Sequence, residues 1–154
     1  MARVPEPKPG LVFRYGYVWL DDYLRGHIDP GKDRPACILA RIVDDAATLE
    51  AVKGLKPAAG DVLVLPITTS PPRTQDLSIE MNPDDKRACG PDVRVRSWVV
   101  VSEFNLDVWP NADLSLVPGT NRFDYGVAPP GLMRRIARGF LEARRLERQS
   151  GVRR

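Results

Sequence analysis

Gly31-Lys32-Asp33-Arg34-Pro35-Ala36-Cys37-Ile38-Leu39 passes from a polar, flexible lead-in to an apolar strand within a few residues. Lys32, Asp33 and Arg34 thereby sit where a mobile loop becomes a rigid element, a common location for binding and catalytic groups. A second stretch has the same arrangement in reverse. Gly60-Asp61-Val62-Leu63-Val64-Leu65-Pro66-Ile67-Thr68-Thr69-Ser70-Pro71-Pro72 runs from a turn through an apolar strand into a hydroxyl-rich loop. If these strands pair, Arg34 and Thr68 converge at one edge of a small sheet.

Upstream, Phe13, Tyr15, Tyr17 and Trp19 alternate with Val12, Arg14, Gly16, Val18 and Leu20, the period of a long strand starting at Leu11. Aromatics at this period are more often cross-strand core pairs than a base-stacking platform. Asp21 to Asp33 reads as a polar loop longer than a hairpin needs, carrying Arg25, His27 and Asp29. The second strand is expected over Ala36 to Val43. The third, Asp61 to Ile67, is so continuously apolar that a central position is predicted. Between them, Asp44 or Asp45 would cap a short helix through Leu49 and Val52, the alternative being a loose excursion.

Downstream, the pattern predicts a loop over Thr68 to Asp76, a short strand over Leu77 to Met81 and a charged turn over Asn82 to Pro91. A further strand is expected from Val93 through Val101, with Arg94 and Arg96 alternating outward. After Glu103-Phe104-Asn105 the chain loosens into loops with at most one short strand. Behind Pro129-Pro130-Gly131, Leu132, Met133, Ile136, Ala137, Phe140 and Leu141 recur at three and four, the apolar face of a helix. Several short strands and one terminal helix predict a mainly β, α+β fold, a small bent barrel with a C-terminal amphipathic helix. We expect one domain over 1–154, with a proline-spaced extended lead-in at 1–9 and a basic tail at 149–154.

With 154 residues, 43% of them hydrophobic, the chain is long enough to bury a core. No apolar run approaches the roughly 20 residues of a membrane span, and the first residues lack a signal-type apolar stretch, so a cytoplasmic location is expected. Cys37, Cys89 and the single His27 have no metal-ligand spacing, and both cysteines read as reduced structural thiols; neither metal nor cofactor is expected. The net charge of +3 divides unevenly. Residues 1–130 sum to −3, whereas 131–154 carry eight arginines against two glutamates, or +6. Such a basic end either attracts nucleic acid or an acidic protein, or is a solvated helix face with arginines where the macrodipole favours them. The second reading is the simpler.

The Lys32-Asp33-Arg34-Pro35 opening of one strand, followed by Val64-Leu65-Pro66-Ile67-Thr68-Thr69, resembles the MazF/PemK family of toxin–antitoxin ribonucleases, in its PemK-like growth-inhibitor branch. Pro9-Gly10-Leu11-Val12, Ser97-Trp98-Val99-Val100-Val101-Ser102-Glu103-Phe104-Asn105, Trp109-Pro110 and Gly126 to Leu132 support the likeness, which spans most of residues 9–145. It implies an SH3-like barrel that forms a homodimer, is inhibited by a cognate antitoxin protein, and cuts single-stranded RNA without metal. The RNA's own 2′-hydroxyl attacks the adjacent phosphate, leaving a cyclic phosphate and a 5′-hydroxyl. That chemistry needs a cation for the phosphorane, donors to position it and groups that move protons.

On the family motif, Arg34 becomes the phosphate-stabilising cation and Thr68 the hydroxyl that holds the scissile phosphate. Glu103 lies near a family acid, and His27 and Asp29 fall in a loop where relatives carry a His or Glu. Arg25, Lys32, Thr69 and Arg73 are the further candidates for RNA contact. Where some relatives have an arginine just upstream of the acid, this chain has Val101. Each residue also has a purely structural reading. Arg34 would pair with Asp33 or Asp61, Thr68 would bond its local backbone, Glu103 would partner Arg41 or another arginine, and Trp98 and Trp109 would pack in a core or interface. The competing functions are a noncatalytic binding domain and a gyrase-type protein-binding inhibitor on the same scaffold. The latter depends on a Trp-Gly-Ile ending, where this chain reads Gly151-Val152-Arg153-Arg154.

Overall fold

A computed structural model of the chain describes residues 2–42, 46–73 and 76–154. It is an α+β fold, mainly β. The elements are β1 (Leu11–Gly16), α1 (Leu20–Leu24), β2 (Asp33–Arg41), α2 (Ala46–Ala51), β3 (Val62–Thr68), β4 (Ser78–Glu80), α3 (Pro83–Cys89), β5 (Trp98–Val100), β6 (Glu103–Asp107), β7 (Asp124–Val127), α4 (Pro130–Arg145) and β8 (Ser150–Arg153). One eight-stranded sheet runs in the order β4-β5-β3-β2-β1-β7, with β6 branching from β3 and β8 from β6. Its pairs are antiparallel except β6 with β8. Among the described residues no ladder closes the sheet on itself. No described helix is long and apolar enough to cross a membrane.

Period-two alternation divides the inner strands between two cores. Val12, Cys37, Leu63, Leu65 and Ile67 join a core covered by Leu132, Ile136, Phe140 and Ala143 of α4. Phe13, Tyr15, Tyr17, Ala36, Ile38, Val62 and Val64 form the other. The strand aromatics are therefore core pairs, with Phe13 and Tyr15 centroids 5.3 Å apart and Tyr15 and Tyr17 centroids 6.4 Å apart. β3 is fully buried and bonded to β2, β5 and β6, the central position that its apolar run predicts.

Several sequence expectations shift. The first strand stops at Gly16, and α1 begins at Leu20, a residue expected in that strand, and runs into the expected polar loop; Glu103 captures the Leu20 N–H at 2.9 Å. The expected turn at Asn82–Pro91 is helix α3: Asn82 and Asp85 form a reciprocal capping box, a proline opens the helix, and Gly90 ends it at φ 102°. The strand expected from Val93 shrinks to β5, and Val93 and Val95 lie exposed. The chain does not loosen directly after Asn105: β6 continues through Asp107, buried throughout. The helix face differs from the expected one, since Ala137 and Leu141 face solvent while the buried row runs on to Ala143. The helix expected near Leu49 is present as α2, but its proposed caps Asp44 and Asp45, and Val43 of the second strand, lie outside the described residues.

The basic tail is the largest correction. Residues 150–153 are β8, parallel to β6, and Arg153 within it and Arg154 after it turn inward. Arg153 pairs with the buried Asp61. Arg154 donates to Tyr15 Oη at 3.0 Å, Gly16 O at 2.8 Å and Asn105 Oδ1 at 3.2 Å, and pairs with Asp113. Cys37 and Cys89 are buried free thiols, Cys89 in α3 rather than a loop, and burial pushes the Cys89 thiol up to about 12.

Candidate functional site

The β2–β3 register pairs Ala36 with Pro66, so extending it two residues places Arg34 opposite Thr68. Tyr15 is the partner of Arg34 on the other side. Directly opposed residues of antiparallel strands share a face, which is here the face of the aromatic core. Where the ladder ends, that face opens into a cavity of ≈ 460 Å³ lined by Trp19, Asp21, Asp22, Arg25, Lys32, Arg34, Thr68, Ser70, Pro71, Pro72, Arg73, Asp76, Val100 and Glu103. Six candidates from the sequence, Arg25, Lys32, Arg34, Thr68, Arg73 and Glu103, are brought together at its wall. Thr69, His27 and Asp29 are not: all three are exposed and outside the lining.

Arg34 has neither of the carboxylate partners that a structural role would give it. Asp33 faces Arg14 at 3.7 Å and Asp61 is taken by Arg153. The guanidinium of Arg34 stands over the Trp19 ring, 5.0 Å from its centroid, and its Nε is buried without a hydrogen-bond partner among the described residues. Burial lowers its pKa, opposed by the fields of Tyr17 and Asp22.

Thr68 is 9% exposed, and its Oγ1 accepts the Ser70 N–H at 3.1 Å. That bond uses a lone pair and leaves the hydroxyl proton available for donation. The local-backbone reading and the ligand-holding reading are thus compatible.

Glu103 is 5% exposed and makes no ion pair among the described residues; it does not partner Arg41. Its Oε1 accepts the Tyr17 O–H at 3.2 Å and the Leu20 N–H at 2.9 Å. Oε2 has no hydrogen bond among the described residues and is not sealed from solvent, so it is the oxygen offered to the cavity. Desolvation raises the pKa of this carboxyl, overcoming the opposing pull of the two accepted bonds. A buried carboxylate with a raised pKa in a cleft has the character of a general acid or base.

Arg73 is not a free cation. It bridges Asp21 of α1 and Asp76, clasping the loop after β3 against the helix. Arg25 and Lys32 remain as the exposed cations of the wall. Sequence reasoning did not single out Asp21, Asp22, Ser70 or Asp76, or Tyr17 as the anchor of Glu103; no motif marks them, and Asp21 and Asp22 reach the wall only because α1 forms there. Among the described residues no three His, Cys, Asp or Glu side chains cluster to hold a metal ion. The arrangement can grip an anion with a planar cation, donate to it from a hydroxyl and exchange a proton with a carboxylate. No protein-family model matches this chain, and neither does any curated protein sequence.

Proposed function

We propose that this chain is a metal-independent endoribonuclease of the MazF/PemK type, cleaving single-stranded RNA as the toxin of a toxin–antitoxin pair. The observation that carries the reading is the half-buried Arg34 guanidinium, without an ion pair among the described residues, across one strand pair from Thr68 and in the same cavity as Glu103. A guanidinium without an ion pair among the described residues, near a neutral donor, suits a phosphodiester better than a neutral substrate.

In the proposed reaction, Glu103 Oε2 takes the proton of the RNA 2′-hydroxyl, and that oxygen attacks the adjacent phosphorus. Arg34 holds two non-bridging oxygens in its fork as their charge grows, and the Thr68 hydroxyl donates to one of them. The bond to the 5′-oxygen breaks, and this oxygen leaves with a proton from the cationic wall, for which Arg34 and Lys32 are the candidates. The products are a 2′,3′-cyclic phosphate and a 5′-hydroxyl. Arg25 attracts the flanking backbone. The same reading carries an SH3-like barrel, a homodimer and a cognate antitoxin that covers the cavity, in cytoplasmic surroundings.

The test is incubation of the purified protein with single-stranded RNA in EDTA, with analysis of the ends. Cyclic-phosphate ends are expected. Growth arrest on expression without cleavage of any RNA would replace the enzyme by a protein-binding inhibitor.

A further inference from the structure

A half-buried arginine is ordinarily held by a carboxylate, which orients the guanidinium but also cancels its charge. Arg34 is held otherwise. Among the described residues no carboxylate forms an ion pair with it: Asp33 faces Arg14, Asp21 and Asp76 hold Arg73, and Asp22 acts on it through its field alone. What meets the guanidinium is the Trp19 ring.

That ring stands on a fixed base. Tyr17 meets it edge-on, with centroids 5.1 Å apart and planes at 69°. The Tyr17 hydroxyl donates to Glu103 Oε1, and so does the backbone N–H of Leu20, the residue after Trp19. Segment 17–20 is therefore pinned to β6 on both sides of the tryptophan. We propose that Trp19 is a positioning residue, whose ring fixes the Arg34 guanidinium in the cavity while leaving its charge and N–H edge free for a phosphate. The proposal rests on the reading of Arg34 as the phosphate-binding cation.

The physics favours an aromatic here. The negative face of the indole attracts a cation without accepting its in-plane N–H groups. A guanidinium stacked on one face keeps its fork for two phosphate oxygens. Glu103 then has two tasks through two oxygens: Oε1 steadies the platform and Oε2 faces the substrate. The competing use of Trp19, stacking on an RNA base, is disfavoured because the ring already carries the guanidinium.

A double-mutant cycle tests this, read as affinity for a single-stranded 2′-O-methyl oligonucleotide, whose blocked hydroxyl prevents cleavage. Trp19→Leu is expected to weaken binding about tenfold in the parent and by less than about twofold in Arg34→Ala. Trp19→Phe, which keeps a ring against Tyr17, gives an intermediate loss in the parent and supplies the comparison if the leucine variant folds poorly. Equal losses with and without Arg34 would make Trp19 a base platform and overturn the proposal while leaving the role of Arg34 intact. Parental binding by Arg34→Ala would overturn both. A second readout needs no ligand: the Arg34 Nε–H resonance should be displaced by the indole ring current and relax in Trp19→Leu. An unmoved resonance refutes the contact.

Discussion

Replacing Glu103 by glutamine should make the protein more stable at neutral pH while removing its proposed activity. The carboxyl is nearly sealed from water and, among the described residues, has no arginine or lysine partner and accepts two hydrogen bonds, from Tyr17 and Leu20. Its pKa is raised, so the cost of desolvating the charge exceeds what the two bonds return. The linkage sign follows. Between the unfolded and folded pKa values the folded protein binds more protons, so this group's contribution is full at low pH and is lost as pH rises through the folded value. Glutamine keeps an acceptor oxygen for Tyr17 and Leu20 without the charge. Thermal melts of parent and Glu103→Gln across the acidic to neutral range should converge at low pH and diverge above it. The variant should then be higher by about 2–4 °C for each kcal/mol gained. The parent's cleavage rate should rise with pH through the same window, as its base ionises. A variant less stable than the parent at neutral pH would show that the charge stabilises the fold, refuting the account of Glu103.

Two further perturbations separate scaffold from site. Arg154→Ala strips a guanidinium that is 10% exposed from Tyr15, Asn105 and Asp113; a loss of about 3 kcal/mol is expected in denaturant unfolding. Arg73→Ala breaks only exposed pairs to Asp21 and Asp76, so unfolding should change by about 0.5 kcal/mol. Its consequence should appear instead in KM, because the loop it clasps lines the cavity.

How much the sequence revealed depended on whether the relevant partners were local. Arg34 and Thr68 were legible because strand periodicity, proline placement and a recognisable motif all pointed to one pair of adjoining strands. The central β3 and the helix α4 were legible for the same reason. Helix α3 was written in the sequence as Asn82, Pro83, two aspartates and Gly90, but the charge density there read as a turn. Val93, Arg94, Val95 and Arg96 alternate like a strand, yet no strand among the described residues pairs with them, and alternation without a partner makes no ladder. Strand β6 failed in the opposite sense. Its polar residues Glu103, Asn105 and Asp107 look like a solvent face but meet Tyr15, Tyr17 and Val18, more than eighty residues away. Arg153 of β8 and Arg154 after it looked like a solvated tail because their acids, Asp61 and Asp113, are equally remote. Local patterns specify elements; distant charge pairing decides which polar faces are buried.

The most direct measurement is the cleavage rate of single-stranded RNA in EDTA by the parent, Arg34→Ala and Thr68→Ala, each checked for parental thermal stability. Loss of the cation should slow cleavage by about 100- to 1,000-fold, and loss of one neutral donor by less. Cleavage by Arg34→Ala at the parental rate would contradict the claim that this guanidinium meets the phosphate.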